Sequence, residues 1–270
     1  MVINTNMAAI TAASNLDNST NKLNNSLSEL SSGSKIVTPA DDPAGLAESI
    51  SIQSQLGESQ AANSNVSNAI SFSQTQAGYL QQVGAALDQM ATLAVEAQDV
   101  TKNSSELSDY QAEFKTLATY ISTTAGAVFN GVSLFSATTL DVTIDSTVGH
   151  SFAMTGIDLT ATVYANVTSP STSIATPASA AIAEGYIQAA ITALASDRST
   201  IGANEDGLTY TMDELNVLQD NLTAANSNIT DVDVATEATK YAEYQILVQS
   251  GTSMLAQANQ NPQSVLKLLQ

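Results

Sequence analysis

A histidine-based site in this chain would have to use His150, its single histidine, and no cysteine is present to support it. Transition-metal centres draw on several His or Cys ligands, so one imidazole in a Thr- and Ser-rich stretch reads as surface. A Ser-His-Asp triad would also need His150, and the Gly-x-Ser-x-Gly turn that exposes a nucleophile is missing. No Gly-rich phosphate cradle occurs; the glycines stand as single breakers. Carboxylate pairs remain at Asp41-Asp42 and Glu205-Asp206, with no ligand-rich motif beside either. Asp42 precedes Pro43, and a carboxylate before a helix-opening proline is placed to cap it, since Pro lacks the N–H that would be orphaned there. The residues thus predict no catalytic group, no metal site and no cofactor.

Charge narrows the partners. Net charge is −19, from 26 acidic residues against seven basic ones, of which Arg198 is the one arginine. Nucleic-acid binding needs clustered cations that displace counterions, and an anionic membrane is disfavoured for the same reason. The acidity reads as solubility, or as adaptation to saline surroundings. Copies of such a chain repel one another, so self-association is expected to strengthen with salt. No apolar run approaches the roughly 20 residues of a membrane span. The start, Met1 to Asn6, has neither a basic region nor an apolar core, so it is no general secretory signal; that predicts a cytoplasmic protein or one exported by a dedicated route. Aromatics are 5% and Trp is absent. Small side chains suit helices that approach closely.

The elements predicted around these residues are mostly helical. Residues 5–32 read as helix, with Leu16, Leu23 and Leu30 seven apart and Leu27 between them, a short heptad seam. The Asn, Ser and Thr between the leucines are poor helix formers, so this arm needs a partner. Gly33 marks the break, and Asp41, Asp42, Pro43 and Gly45 form the next cap. From Pro43 to about Asp99 a stripe runs through Ile50, Leu56, Val66, Ile70, Leu80, Leu87, Met90 and Val95. Such a helix is a rod of roughly 80 Å and implies a bundle or coiled coil. Lys102 to Ser105 reads as a turn, Glu106 to Val128 as a second helix, and Asn130-Gly131 as a hairpin turn.

Residues 137–177 are rich in Thr, Val and Ser and read as short strands and loops, including Leu140 to Asp145 and Ile157 to Val167. Helix resumes near Pro177 through Ile182, Tyr186, Ile187, Ile191 and Leu194. Gly202 and Glu205-Asp206-Gly207 suggest an irregularity before Leu208, Leu215, Leu218 and Leu222. The last helix spans Asp231 to Gln260, with Val232, Ala235, Ala242 and Ile246 at heptad-like spacing and Leu255 further on. Asn261-Pro262 is expected to break it, leaving Val265, Leu266, Leu268 and Leu269 as an apolar end that needs a partner surface. The fold class is therefore mainly α: long antiparallel helices from both chain ends in a coiled-coil or bundle rod, with a β-hairpin and a small β-type insert. The expected division is residues 1–40 with 229–270 as terminal arms, 41–136 with 178–228 as a long-helix bundle, and 137–177 as a surface-exposed insert.

The two ends carry a specific likeness. The N-terminal side reads Ile3-Asn4-Thr5-Asn6, then Leu30-Ser31-Ser32-Gly33-Ser34-Lys35-Ile36, then Ala40-Asp41-Asp42-Pro43-Ala44-Gly45-Leu46-Ala47. The C-terminal side reads Ile229-Thr230-Asp231-Val232-Asp233-Val234-Ala235-Thr236-Glu237, then Gly251 to Gln260, then Pro262 to Leu269. Both sets resemble the terminal regions of bacterial flagellins, in the right order and at the correct ends; the middle contributes nothing to the likeness. The resemblance implies a non-enzymatic subunit that polymerises with copies of itself into the flagellar filament for motility. It implies terminal arms in the innermost layer, long helices in the next, and the insert outermost. It also implies export through the flagellar type III apparatus, with an export chaperone, a filament cap and hook–filament junction proteins as partners.

Departures accompany the likeness. Flagellin arms usually carry several Arg, and Glu29 stands where Arg is common. The segment Leu87 to Val95 resembles the helix read by the vertebrate innate flagellin receptor; the family's key Arg falls on Gln89, while Leu93 is kept and Glu113 matches a further contact. Losing that cation removes a charge-assisted bond and implies weak or absent receptor activation. The alternatives are the related hook–filament junction protein, a secreted coiled-coil adhesin, and an enzyme with a site in the insert, which the poverty of His, Cys and Arg disfavours.

Overall fold

A computed structural model describes residues 5–145 and 150–268, with the side chains of 261–268 excepted. The expectations placed on Leu269 and on the side chains of Val265, Leu266 and Leu268 lie outside the described residues. Helices come in chain order as α1 (Met7–Ser32), α2 (Pro43–Ala97), α3 (Ser104–Thr124), α4 (Thr162–Thr168), α5 (Pro177–Thr230) and α6 (Val234–Leu268). Between α3 and α4 lie β1 (Val128–Phe129), β2 (Val132–Ser133), β3 (Leu140–Thr143) and β4 (Ser151–Met154), paired as two two-stranded antiparallel sheets. The fold is mainly α with small β elements.

Local chemistry sets the boundaries. Asp42 Oδ1 accepts from the Gly45 N–H at 2.9 Å and opens α2 at Pro43. A Cβ at Gly45 would fall 2.5 Å from Asp42 Oδ2, so the cap needs glycine there. Asp41 folds back onto the preceding turn, its carboxylate accepting from the N–H groups of Val37 (3.1 Å) and Thr38 (2.7 Å). Asn103 and Glu106 form a capping box, so α3 starts two residues before the expected Glu106. It ends at Thr124 because Val128 is drawn into the first hairpin. Asn130 (φ 49°) and Gly131 (φ 81°) make that hairpin's turn, with Phe129 opposite Val132. Both central residues are left-handed, as a two-residue hairpin loop with matched twist requires.

The chain folds as two compact units, Met1–Leu56 with Asp220–Gln270, and Gly57–Gln219. The second unit holds the hydrophobic core. Along α2 one line of buried residues runs through Ala62, Val66, Ala69, Ser73, Gln76, Leu80, Val83, Leu87, Met90, Ala94 and Ala97, with Phe72, Ala86 and Leu93 buried beside it. The line alternates at spacings of four and three, a coiled-coil seam. Along α5 the same spacing gives Ala180, Ala183, Ile187, Ala190, Leu194, Ile201, Asn204, Leu208 and Leu215. The expected stripe was partly misplaced: Ile50, Val95, Ile182, Tyr186 and Leu218 are exposed. Large apolar residues drew the expected stripe, whereas the buried seam is filled at many positions by Ala, Ser, Gln and Asn.

The insert shares this core. Met154, Ile157, Leu159, Tyr164, Val167 and Ile174 are buried in the same cluster as the helices. The expected strand character of Ile157 to Val167 is corrected to loop and helix: α4 presents Tyr164 and Val167, three apart, to the core, and this packing overrides β-branched propensity. α5 also runs unbroken through Gly202 and Gly207. One glycine costs a helix only about 1 kcal/mol, and buried Ile201 and Leu208 hold both flanks. Gly207 instead serves a close approach: a Cβ there would lie 2.6 Å from Cζ of Phe152 on β4.

Candidate assembly interface on the terminal helices

The first unit is built on α1 and α6, which run antiparallel. α1 opens at Asn6, whose Oδ1 accepts from the Ala9 N–H at 3.2 Å. It closes at Gly33 (φ 72°), whose N–H donates to the Glu29 carbonyl. The left-handed closing residue favours glycine. α6 opens at Asp233, whose carboxylate accepts from the N–H groups of Ala235 and Thr236 and from the Thr236 hydroxyl. These bonds hold the Asp233 carboxyl below its ordinary range, the Thr236 hydroxyl contributing most. Where α1 ends and α6 begins, the backbones are stitched: Ser34 bridges Asp231, Lys35 N–H donates to Thr230 (2.7 Å), and Val232 N–H donates to Gly33 (3.1 Å). Val232 thus joins the two helices as a backbone donor ahead of α6.

From that stitch the seam continues with constant register. Ser26 Oγ donates to the Glu237 carbonyl at 3.5 Å. Lys22 lies over the Tyr244 ring, 5.8 Å from its centre. A Cβ at Gly251 would sit 3.2 Å from Leu16 Cδ1, so glycine lets α6 approach that leucine. Asn6 Nδ2 donates to the Ala258 carbonyl at 2.8 Å. On α1, Leu16, Leu23 and Leu30 are half-buried, while Leu27 is 51% exposed and stands off the seam.

On α6 the shielded positions are Glu237, Tyr241, Tyr244, Val248, Gly251, Leu255 and Ala258, again four and three apart. The expected register of Ala235, Ala242 and Ile246 is therefore corrected within the chain: all three are exposed, Ile246 at 65%. The reason is that α6 turns its glycine, alanine and tyrosines toward α1, and these carry less apolar signal than Ile246. Pro262 does not end α6 either, since the helix continues to Leu268.

Electrostatics at this site is unusual. Glu237 is buried at the seam, and the Ser26 hydroxyl followed by Lys240 holds its carboxyl below the ordinary range. The Lys240 ammonium lies 2.9 Å from it. Glu29 nearby is pushed upward, by desolvation first and then by the charge of Glu237. The seam is otherwise thin. Of the buried hydrophobic residues, Ala258 alone lies in this unit among the described residues. Meanwhile Met7 and Ile10 on α1, and Val234, Ile246, Leu247 and Met254 on α6, stand exposed.

The residues matching receptor recognition lie in the second unit. Gln89 Nε2 donates to Glu113 Oε1 at 3.2 Å on the exposed surface. Leu93 is 3% exposed and packs in the core. His150 lies 3.3 Å from Asp145 on the surface. Among the described residues no cluster of His, Cys, Asp and Glu could hold a metal ion, and no helix is long and apolar enough to cross a membrane.

Two family models match the chain: the bacterial flagellin N-terminal helical region over residues 3–139 and the bacterial flagellin C-terminal helical region over residues 185–269. The chain belongs to the bacterial flagellin family. Flagellins are structural proteins, and as a flagellin the chain is a structural subunit of the flagellar filament. It is 34% identical to the flagellar filament 33 kDa core protein of Treponema phagedenis, over all of both chains. It is 33% identical to a flagellin of Halalkalibacterium halodurans, again over all of both. Among solved structures it is similar to Bacillus cereus flagellin, with TM-score 0.50, 22% identity, and coverage of 56% of this chain and 88% of that one. It is similar in fold to a putative flagellar hook-associated protein of Vibrio parahaemolyticus, with TM-score 0.58, 12% identity, and coverage of 71% and 100%. The sequence motifs that exposed the family were at the helix caps and chain ends. Tyr241 and Tyr244 lay outside them, and Glu237, though inside one, gave no sign of its place on the seam, where polar and aromatic side chains disguise a heptad.

Proposed function

We propose that the α1–α6 pair is the polymerisation surface, and that its exposed apolar residues pack against copies of the same chain in an extracellular filament. The observation that supports this is the thinness of the seam beside unpartnered Ile10, Ile246, Leu247 and Met254. Apolar groups exposed together on an acidic, soluble chain mark contact surfaces. Two unlike faces on one subunit make head-to-tail contacts, which give an open helix when the rotation does not close. In this reading Leu16, Leu23, Leu30 and Leu255 hold α1 to α6, whereas Leu27, Ala235, Ala242 and Ile246 meet neighbouring copies. The arms form an inner layer, the α2, α3 and α5 bundle the next, and residues 137–177 the outer face. Export through the flagellar type III apparatus, a chaperone, a filament cap and junction proteins complete the assembly route.

Removal of residues 265–270 tests the reading. Electron microscopy is expected to show no filaments, while circular dichroism and melting show the second unit still folded. Normal filaments from that truncation overturn it. The solvent-facing Gln89–Glu113 pair is further proposed to make a weak agonist of the innate receptor. Gln89→Arg is expected to raise the response in a reporter cell, and full potency of the unaltered chain would refute this.

A further inference from the structure

α6 carries a proline well inside its length, yet it remains helical to Leu268. In an α-helix the N–H of each residue donates to the carbonyl four residues earlier. Pro262 has no N–H, so the carbonyl it leaves without a helical donor is that of Ala258. This is the carbonyl to which Asn6 Nδ2 donates, at 2.8 Å. Ala258 is 8% exposed, so water has little access to the residue. An orphaned carbonyl in such surroundings is costly.

The same Asn6 side chain has a second task. Its Oδ1 accepts from the Ala9 N–H and opens α1. One carboxamide therefore uses its oxygen for the start of α1 and its nitrogen for the middle of α6. A serine or aspartate could cap α1 as well as asparagine does. The donor is what Asn6 adds, and the donor faces the atom Pro262 leaves unmet.

We infer that Asn6 is a splint for α6, and that the helix beyond Pro262 forms only when the start of the chain docks against it. Separated from α1, α6 has a weak point at Pro262, and residues 263–268 lose their helical continuity with the rest. Docked, the Asn6 amide supplies the missing donor and the helix runs through. The two ends of the chain thereby order each other through one side chain. This inference concerns the folding of α6 and holds whether or not its exposed face meets other subunits.

The test is a double-mutant cycle on the full chain, read by hydrogen exchange of the amides of residues 263–268. Exchange is measured on both soluble and polymerised protein, and compared in the state that protects these amides in the unaltered chain. Asn6→Ser keeps a cap for α1 and is too short to reach Ala258. It is expected to speed exchange at 263–268 by about tenfold, the loss of one hydrogen bond to a carbonyl left shielded. In the Pro262→Ala background, which restores an N–H to Ala258, the same change is expected to alter exchange by less than about twofold. Equal effects of Asn6→Ser in both backgrounds would overturn the splint and leave Asn6 as a cap alone. So would amides 263–268 exchanging at free-peptide rates in every state of the unaltered chain. Failure to form filaments would count against the assembly surface; the splint then stands if the soluble chain shows the double-mutant coupling and falls if its amides 263–268 exchange at free-peptide rates.

Discussion

The two units share a building rule and differ in how far each one completes it. Both use heptad seams: Ala62 to Ala97 on α2, Ala180 to Leu215 on α5, and Glu237 to Ala258 on α6. In the second unit those seams meet α3, the hairpins and the insert, and residues such as Leu80, Leu87 and Met90 have no exposure at all. In the first unit, α1 and α6 lean on each other along one side, and Leu16, Leu23, Leu30 and Leu255 are only partly buried. Two helices packed along one side leave much of each helix surface outside their seam. The second unit therefore encloses a hydrophobic core within one chain, while the α1–α6 seam of the first stays thin.

The sharpest way to break this contrast is to truncate one leucine in each unit. Leu87→Ala is expected to cost about 2–5 kcal/mol, the range for a fully buried leucine that leaves a cavity. Leu16→Ala is expected to cost less, about 1–2 kcal/mol in the soluble chain, because Leu16 is only partly buried. The same Leu16 change should raise the protein concentration needed for polymerisation. Chemical denaturation and a sedimentation assay read the two quantities. Equal destabilisation by both variants would show the first unit to be as complete as the second.

A smaller effect tests the fit of the insert. Gly207→Ala pushes a methyl against the Phe152 ring, and is expected to cost about 1–3 kcal/mol as an overpacked contact. Its thermal midpoint should fall while filament formation at low temperature persists. Stabilisation by about 1 kcal/mol, the ordinary helix gain of Ala over Gly, would mean that β4 does not bear on α5.

Salt should separate the units without any mutation. With −19 charges per copy, polymerisation is expected to accelerate severalfold as the Debye length shrinks from about 30 Å at 0.01 M to about 10 Å at 0.1 M. The melting of the second unit, held by apolar burial, should change far less. Equal rates at low and high ionic strength would contradict the assembly reading.

The smallest expected effect is a pH response of opposite sign at Glu237 and at Asp197. Glu237 has its carboxyl lowered from 4.5. Its contribution is fully present above that value and is lost as pH falls through the lowered folded value. Asp197 on α5 accepts from the Tyr164 hydroxyl at 2.5 Å, and its carboxyl is raised from 3.8, by desolvation above all. It disfavours folding above its raised value, and that penalty is relieved as pH falls toward 3.8. As pH falls, protonation relieves the raised carboxyls of Asp197 and Glu29, and the α1–α6 seam loosens only below 4.5, as pH passes through the lowered value of Glu237. Hydrogen exchange resolved by segment would read both directions, and parallel loosening of the two units would refute the assignment.

Much of this architecture was legible residue by residue. Asp42-Pro43, Gly33 and Asn130-Gly131 announced caps and turns because their backbone roles depend on their own chemistry. Leu16, Leu23 and Leu30 announced a seam because large apolar side chains recur with the period of the helix. The C-terminal register was not legible: Ile246 outweighed Gly251 and Ala258 in hydrophobicity, but close approach selects the small residues. Pro262 was read as a stop because its missing donor is a local fact, whereas the donor that replaces it sits on Asn6.

By itself the sequence determined the family, the helical character of both ends, the lack of cysteine, and the charge that neighbouring copies must overcome. Those follow from residue types and short spacings. The tertiary structure alone decided which face of each long helix is inside, that Gly207 receives Phe152, and that α6 continues past its proline. Each of these depends on which atom from a distant segment arrives beside a given one, and burial, close approach and the rescue of an unmet carbonyl exist only once both partners are in place.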